Sequence, residues 1–136
     1  MKRKVERIDT TKIRNDVPEL KHSKVEIFID AENQKIKKKI ESLLRSAGRK
    51  KLNTIFGCIL RCEYHRAIYK REGKGVTAIK LIGGKSKNQN IRIYCKEFHE
   101  NGKKVVMVTS VIKKVQKNQE SEQILNIIDK ISKLEY

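Results

Sequence analysis

Ile91-Arg-Ile-Tyr-Cys-Lys-Glu-Phe98, the turn Glu100-Asn-Gly-Lys103 and then Lys104-Val-Val-Met-Val-Thr-Ser-Val-Ile112 form the stretch from which the fold can be read. In the first segment Ile91, Ile93, Cys95 and Glu97 fall on one side of an extended chain, and Arg92, Tyr94, Lys96 and Phe98 fall on the other. Asn101-Gly102 is the pair that a two-residue hairpin turn favours, because both residues tolerate the left-handed conformation. The segment after it is apolar nearly throughout, which marks the more hydrophobic strand, in the middle of a sheet. A hairpin of one two-faced strand and one central strand is therefore the first element of the fold.

Working upstream, Thr77-Ala-Ile-Lys-Leu-Ile-Gly83 also has a period of two and stops at Gly83-Gly84. Before it the period lengthens. Ile36, Ile40, Leu43, Leu44 and Ala47 make one helical stripe that Gly48 closes, and Ile55, Phe56, Ile59, Leu60 and Tyr64 make a second, starting near Asn53. Asp30 is placed to cap the first of these helices. Lys24-Val-Glu-Ile-Phe-Ile-Asp30 alternates again and reads as a strand. Downstream, the basic run Lys113–Lys117 leads to a last helix carrying Ile124, Leu125, Ile127, Ile128, Ile131 and Leu134. The order strand, two helices, three strands, helix predicts an α+β fold, with a small, mostly antiparallel sheet covered by helices on one face. Residues 1–23 are polar, hold the only proline and show no period, so they are expected to form a basic extension outside the core of a domain spanning 24–136.

The bulk composition agrees with one domain. A chain of 136 residues with 38% hydrophobic and 36% charged residues can bury a modest core. With 5% aromatics and no Trp, that core must be Ile, Val and Leu, with Phe28, Phe56 and Phe98 as its larger pieces. No apolar run approaches the roughly 18 residues of a membrane span. No apolar stretch follows the basic start, as a secretory signal requires. Three cysteines with no framework spacing imply reduced thiols and a cytoplasmic setting.

Charge is the strongest signal. Lys and Arg total 33 against 16 acids, a net of +17. The excess is concentrated: eight bases to one acid over Lys35–Lys51 and seven to one over Lys70–Arg92, whereas after Asn118 four acids face two bases. Such an imbalance costs self-repulsion, and a polyanion, above all a nucleic acid, is the partner that relieves it. Other chemistries lack their signatures. Cys58 and Cys62 have no second ligand pair for zinc and read as buried small hydrophobes. Gly73-Lys-Gly75 and Gly83-Gly-Lys85 lack phosphate-loop spacing and read as strand-end turns.

The run from Asn90 through the Asn101-Gly102 turn and the apolar strand to Lys113-Lys114-Val-Gln-Lys117 resembles the C-terminal half of RelE/HigB-like toxins. In that group an Arg-bearing strand forms a hairpin with a hydrophobic strand, and a Lys-Lys-x-x-Lys-type segment precedes the closing helix. The strand–helix–helix–strand order of residues 24–82 agrees with it. The resemblance implies a RelE-like fold and a metal-independent endoribonuclease, an mRNA interferase that acts on messenger RNA at the ribosome, needs no cofactor and is silenced by a cognate antitoxin protein. It implies catalytic roles for Arg92, Lys80, Lys113, Lys114 and Tyr94, and RNA contacts for Lys85, Lys87, Lys96, His99 and Lys117. Arg92 is the expected phosphate ligand, because guanidinium stays charged and grips phosphate with two donors. Lys80 stands where the group often carries Arg, so the general acid and base stay open. Two other readings of the same scaffold are a non-catalytic nucleic-acid-binding protein and a gyrase-directed, ParE-like toxin.

Overall fold

The computed structural model describes residues 2–81, 90–114 and 121–136. The elements run β1 (Val5–Arg7), α1 (Thr11–Asp16), a 3₁₀ turn (Pro18–Leu20), β2 (Val25–Asp30), α2 (Gln34–Ser46), α3 (Arg49–Arg61), β3 (Tyr69–Gly73), β4 (Val76–Leu81), β5 (Asn90–Glu100), β6 (Lys103–Lys114) and α4 (Ser121–Ser132). The fold is α+β. One mixed sheet takes the order β1-β2-β6-β5-β4-β3. Among the described residues its only parallel pair is β2 with β6, and the other neighbours are antiparallel. As expected, β6 is central, β5 and β6 form a hairpin, and Asn101 and Gly102 both take positive φ, 54° and 76°, in its turn.

Three expectations about architecture are corrected. The sheet has two more strands than expected, β1 and β3. Helices cover both faces, not one. Ile79, Ile93, Cys95, Val106 and Val108 face Ile40, Leu44, Ile55 and Ile59 of α2 and α3, while the alternate residues Val76, Ala78 and Tyr94 face Ile128 and Ile131 of α4. A strand whose alternate side chains are apolar on both sides demands exactly such a second layer. Finally, residues 1–23 are not an arm outside the core: Ile13 and Leu20 are buried in the main cluster, and β1 pairs with β2. Arg14 fixes this segment by donating to the carbonyls of Ser23 and Val25, at 2.7 and 2.6 Å.

Smaller corrections follow from local chemistry. Asn33, not Asp30, caps α2, accepting from the amides of Lys35 and Ile36. Asp30 is buried instead and joins the two chain ends, meeting Arg3 Nε and the Tyr136 hydroxyl at 2.6 Å each. The helix expected from Asn53 begins at Arg49, directly after Gly48. The aromatic centre of the core is Tyr69 and Tyr94, both fully buried, whereas Phe28, Phe56 and Phe98 are half-buried. Cys62 is exposed at the left-handed C-cap of α3, so only Cys95 is a fully buried thiol, and its pKa is pushed up to about 12 by burial.

Truncating Ile13 or Leu20 to Ala should destabilise the protein by about 2–5 kcal/mol, as for core positions generally. Urea unfolding of each variant checks this, and an unchanged midpoint would return these residues to the surface.

Candidate nucleic-acid interface

In an antiparallel ladder directly opposed residues share a face. The β4–β5 register sets Lys80 opposite Arg92 and Ala78 opposite Tyr94, and β6 extends these rows with Ile112 and Ser110. On β3, Lys70 stands opposite Ala78 and therefore lies on the same face, diagonal to Lys80. Arg66, in the segment between α3 and β3, lies close enough to bear electrostatically on Lys80. The apolar stripe of α4 ends over Val76, Ala78 and Tyr94. Lys80 and Arg92 continue the face beyond that cluster and are half-buried, whereas Lys70 and Arg66 are exposed.

Two features show that this cluster is held under electrostatic tension. The Lys80 pKa is lowered, first by burial and then by the charges of Arg92, Lys70 and Arg66, and Glu72 alone pulls it the other way. Arg92 Nε is buried and has no hydrogen-bond partner among the described residues. A desolvated guanidinium N–H without an acceptor is costly and is satisfied best by an anion. No ion pair among the described residues neutralises Lys70, Lys80 or Arg92. The site thus gathers partly dehydrated positive charge that no ion pair among the described residues offsets.

Of the residues expected at the site, Lys80 and Arg92 are brought together. The hairpin register carries Lys113 and Lys114 to the same end of the sheet, opposite Ile91 and Asn90, and their side chains lie outside the described residues. Lys85, Lys87 and Lys117 lie outside the described residues altogether. Tyr94 shares the face of Arg92, but it is fully buried beneath α4, and the catalytic role expected for it is corrected to core packing. Lys96 is corrected too: its ammonium donates to the carbonyls of Ser132, at 3.1 Å, and Leu134, holding the C-terminal end of α4 where a cation is favoured. His99 is exposed at the other end of β5, roughly 23 Å along the strand from Arg92 at 3.3 Å per residue, and points to the opposite face.

Lys70 and Arg66 were missed by sequence reasoning. The one signal for Lys70 is that it opens the seven-base run ending at Arg92, and Arg66 carries none. The other basic run is displayed on the far side of the molecule, where Lys35, Lys38, Lys39, Arg45, Arg49 and Lys50 are all exposed on α2 and α3. The described residues contain no group of three or more metal-ligating side chains. No described helix is long and apolar enough to cross a membrane.

A lysine whose folded pKa lies below its unfolded one takes up more protons when unfolded. Stability therefore rises with pH between the two values, and the charged form is the destabilising one. Replacing Lys80 by Gln should raise the stability of the free protein at pH 7 by on the order of 0.5 kcal/mol, the scale of a like-charge cross-strand pair. The difference should shrink in thermal unfolding at pH 10 or in high salt. A less stable K80Q at pH 7 would contradict the repulsion. No family model matches this chain, and no curated protein and no solved structure matches it.

Proposed function

We propose that the chain is an RNA-cleaving toxin of the RelE/HigB type, whose Lys80–Arg92 face binds the scissile phosphate of messenger RNA and whose partner in the resting cell is an acidic antitoxin segment. The observation that carries this reading is the cross-strand pair of cations, with no ion pair among the described residues and with a buried Arg92 Nε that has no partner among them. Cleavage through the 2′-hydroxyl needs a base for that proton, cations for the crowded phosphorane and an acid for the leaving 5′-oxygen. Arg92 supplies fixed positive charge on the phosphate. Lys80, with its pKa lowered by burial and three neighbouring cations, is the titrating group best placed to move a proton. Lys70 and Arg66 extend the positive rim along the path of the strand.

The fold supports the reading in its general plan. An α+β domain has two successive helices after a strand, and its Arg-bearing strand is antiparallel to an apolar strand that ends at Lys113 and Lys114. The net charge of +17 suits both RNA and an acidic protein segment. A second reading, an RNA-binding module that does not cleave, is favoured by one fact: with Tyr94 buried and His99 far off, Lys80 stands without a second proton carrier among the described candidates.

Induction of the chain alone in bacteria, with growth followed and messenger RNA 5′ ends mapped, separates the two. Growth arrest with new in-frame 5′ ends is the expected result, and Arg92→Ala should lower cleavage by about 10²–10³-fold while leaving the circular dichroism spectrum unchanged. RNA binding with no new ends would assign the module. A fully toxic R92A would remove Arg92 from the site.

A further inference from the structure

Gly73-Lys74-Gly75, which carries no role in the reading above, forms the β3–β4 turn, and beside it lies a cavity of about 260 Å³. Its walls include Tyr64, Arg71, Gly73, Gly75, Thr77 and Glu97. Glu97 lies on the face of β5 opposite to Arg92, so the cavity is separate from the Lys80–Arg92 cluster. Gly75, at φ 74°, holds a left-handed conformation that a side chain would strain, and it sits against the Glu97 carbonyl oxygen. At Gly73 a Cβ would meet nothing within 4 Å, which makes that glycine an open lip.

Glu97 is the unusual wall residue. Its side chain is 9% exposed. One carboxylate oxygen, Oε1, accepts from the Tyr64 hydroxyl at 2.8 Å and from the Lys104 ammonium at 2.9 Å. The other, Oε2, is buried and has no partner among the described residues. A half-satisfied buried carboxylate calls for further N–H or O–H donors. Tyr64 stacks on Tyr69 at 5.3 Å and carries the exposed guanidinium of Arg71 over its ring at 4.1 Å, with the Lys104 ammonium at 5.1 Å. Arg71 makes no ion pair among the described residues, so it is free to leave the ring and hold an anion at the rim.

We propose that this cavity is a nucleotide site that reads guanine: the base replaces the Arg71 guanidinium against the Tyr64 ring, its N–H edge meets Glu97 Oε2, and Arg71 swings to the phosphate. The chemistry selects this ligand class on three grounds. A donor-bearing cation such as a peptide lysine would satisfy Glu97, but a protein of net charge +17 repels it, whereas a nucleotide brings its donors on an anion. An aromatic face that holds a guanidinium also holds a nucleobase, because both are planar π-systems. A carboxylate oxygen has two lone pairs to fill, and guanine alone among the four bases offers two adjacent N–H donors on one edge. The proposal does not depend on RNA cleavage.

Isothermal titration with GMP, AMP, CMP, UMP and ribose 5-phosphate, paired with tyrosine emission, tests it. The chain has no Trp to mask the signal from Tyr64. GMP should bind about tenfold more tightly than UMP or ribose 5-phosphate, the worth of one charge-assisted hydrogen bond. Glu97→Gln should bring GMP to the level of ribose 5-phosphate, Arg71→Ala should weaken both alike, and Arg45→Ala, exposed on α2, should bind as the wild type does. If E97Q fails to fold, GMP-induced shifts of the Gly73 and Gly75 amide resonances in the wild type decide the matter. Equal affinity for GMP and ribose 5-phosphate, equal affinity for all four nucleotides, or a preference for GMP that survives in E97Q would each overturn the site.

Discussion

Because β6 runs parallel to β2 and antiparallel to β5, the chain cannot close the sheet with tight turns alone, and everything between the two parallel strands has to serve as their crossover. That crossover is α2, α3 and the antiparallel strands β3, β4 and β5. It leaves β6 in the middle, with Val106 and Val108 buried toward α2 and α3 and Val105 and Met107 buried on the other side. One irregularity adjusts the ladder. Tyr94 pairs with Ser110 and Cys95 with Val108, so Thr109 is an extra residue in β6, and its hydroxyl bonds the Tyr94 carbonyl at 3.0 Å. The bulge shifts the alternation by one position. It puts Ser110 and Ile112 on the face of Tyr94 and Arg92, and so completes the row on which the candidate site stands.

The same face is divided between stability and charge. Where α4 lies, the face is Val76, Ala78 and Tyr94, and the tethers Lys96 to the carbonyls of Ser132 and Leu134 and Lys74 to Asp129 hold the helix down. Beyond those residues it becomes Lys80 and Arg92, flanked by Lys70 and Arg66, with Glu72 as the one opposing charge on Lys80 and no ion pair to Lys70, Lys80 or Arg92 among the described residues. Cations gathered in this way repel one another in the free protein, and an anion in that space would relieve the repulsion. The opposite face ends at the Glu97 cavity, where the imbalance is reversed: there an acceptor, not a donor, lacks its partner.

Much of this was legible in the sequence, and the failures share a cause. Elements with a clean period were found: β2 from Val25, Ile27 and Ile29, α2 from its Ile and Leu stripe, and β5 and β6 from alternation around Asn101-Gly102. The missed strand β3 reads Tyr-Lys-Arg-Glu-Gly and has one buried side chain, Tyr69, because it lies at the sheet edge. With β3 unseen, Lys70 had no place on a face, and the site lost part of its rim. Residues 1–23 look polar because few apolar residues, Ile13 and Leu20 with Ile8 and Val17 beside them, attach the segment to the core, and backbone carbonyls gripped by Arg14 leave no sequence trace. The pairing of Lys80 with Arg92 followed from neither residue alone. It depends on the β4–β5 register, which becomes visible once both strands are aligned in three dimensions. Tyr94 and Lys96 were on the correct face, but the closing helix that uses them was expected on the other side of the sheet.

The central claim is that one end of one sheet face receives RNA through Lys70, Lys80 and Arg92. Titrating a short single-stranded RNA into isotopically labelled protein and following amide and side-chain resonances tests it most directly. Shifts concentrated at Lys70, Lys80, Arg92 and Ile112, lost as salt is raised, are the predicted result. Shifts centred on His99 and the β5–β6 turn, or spread only over α2 and α3 with Arg92 unmoved, would contradict it.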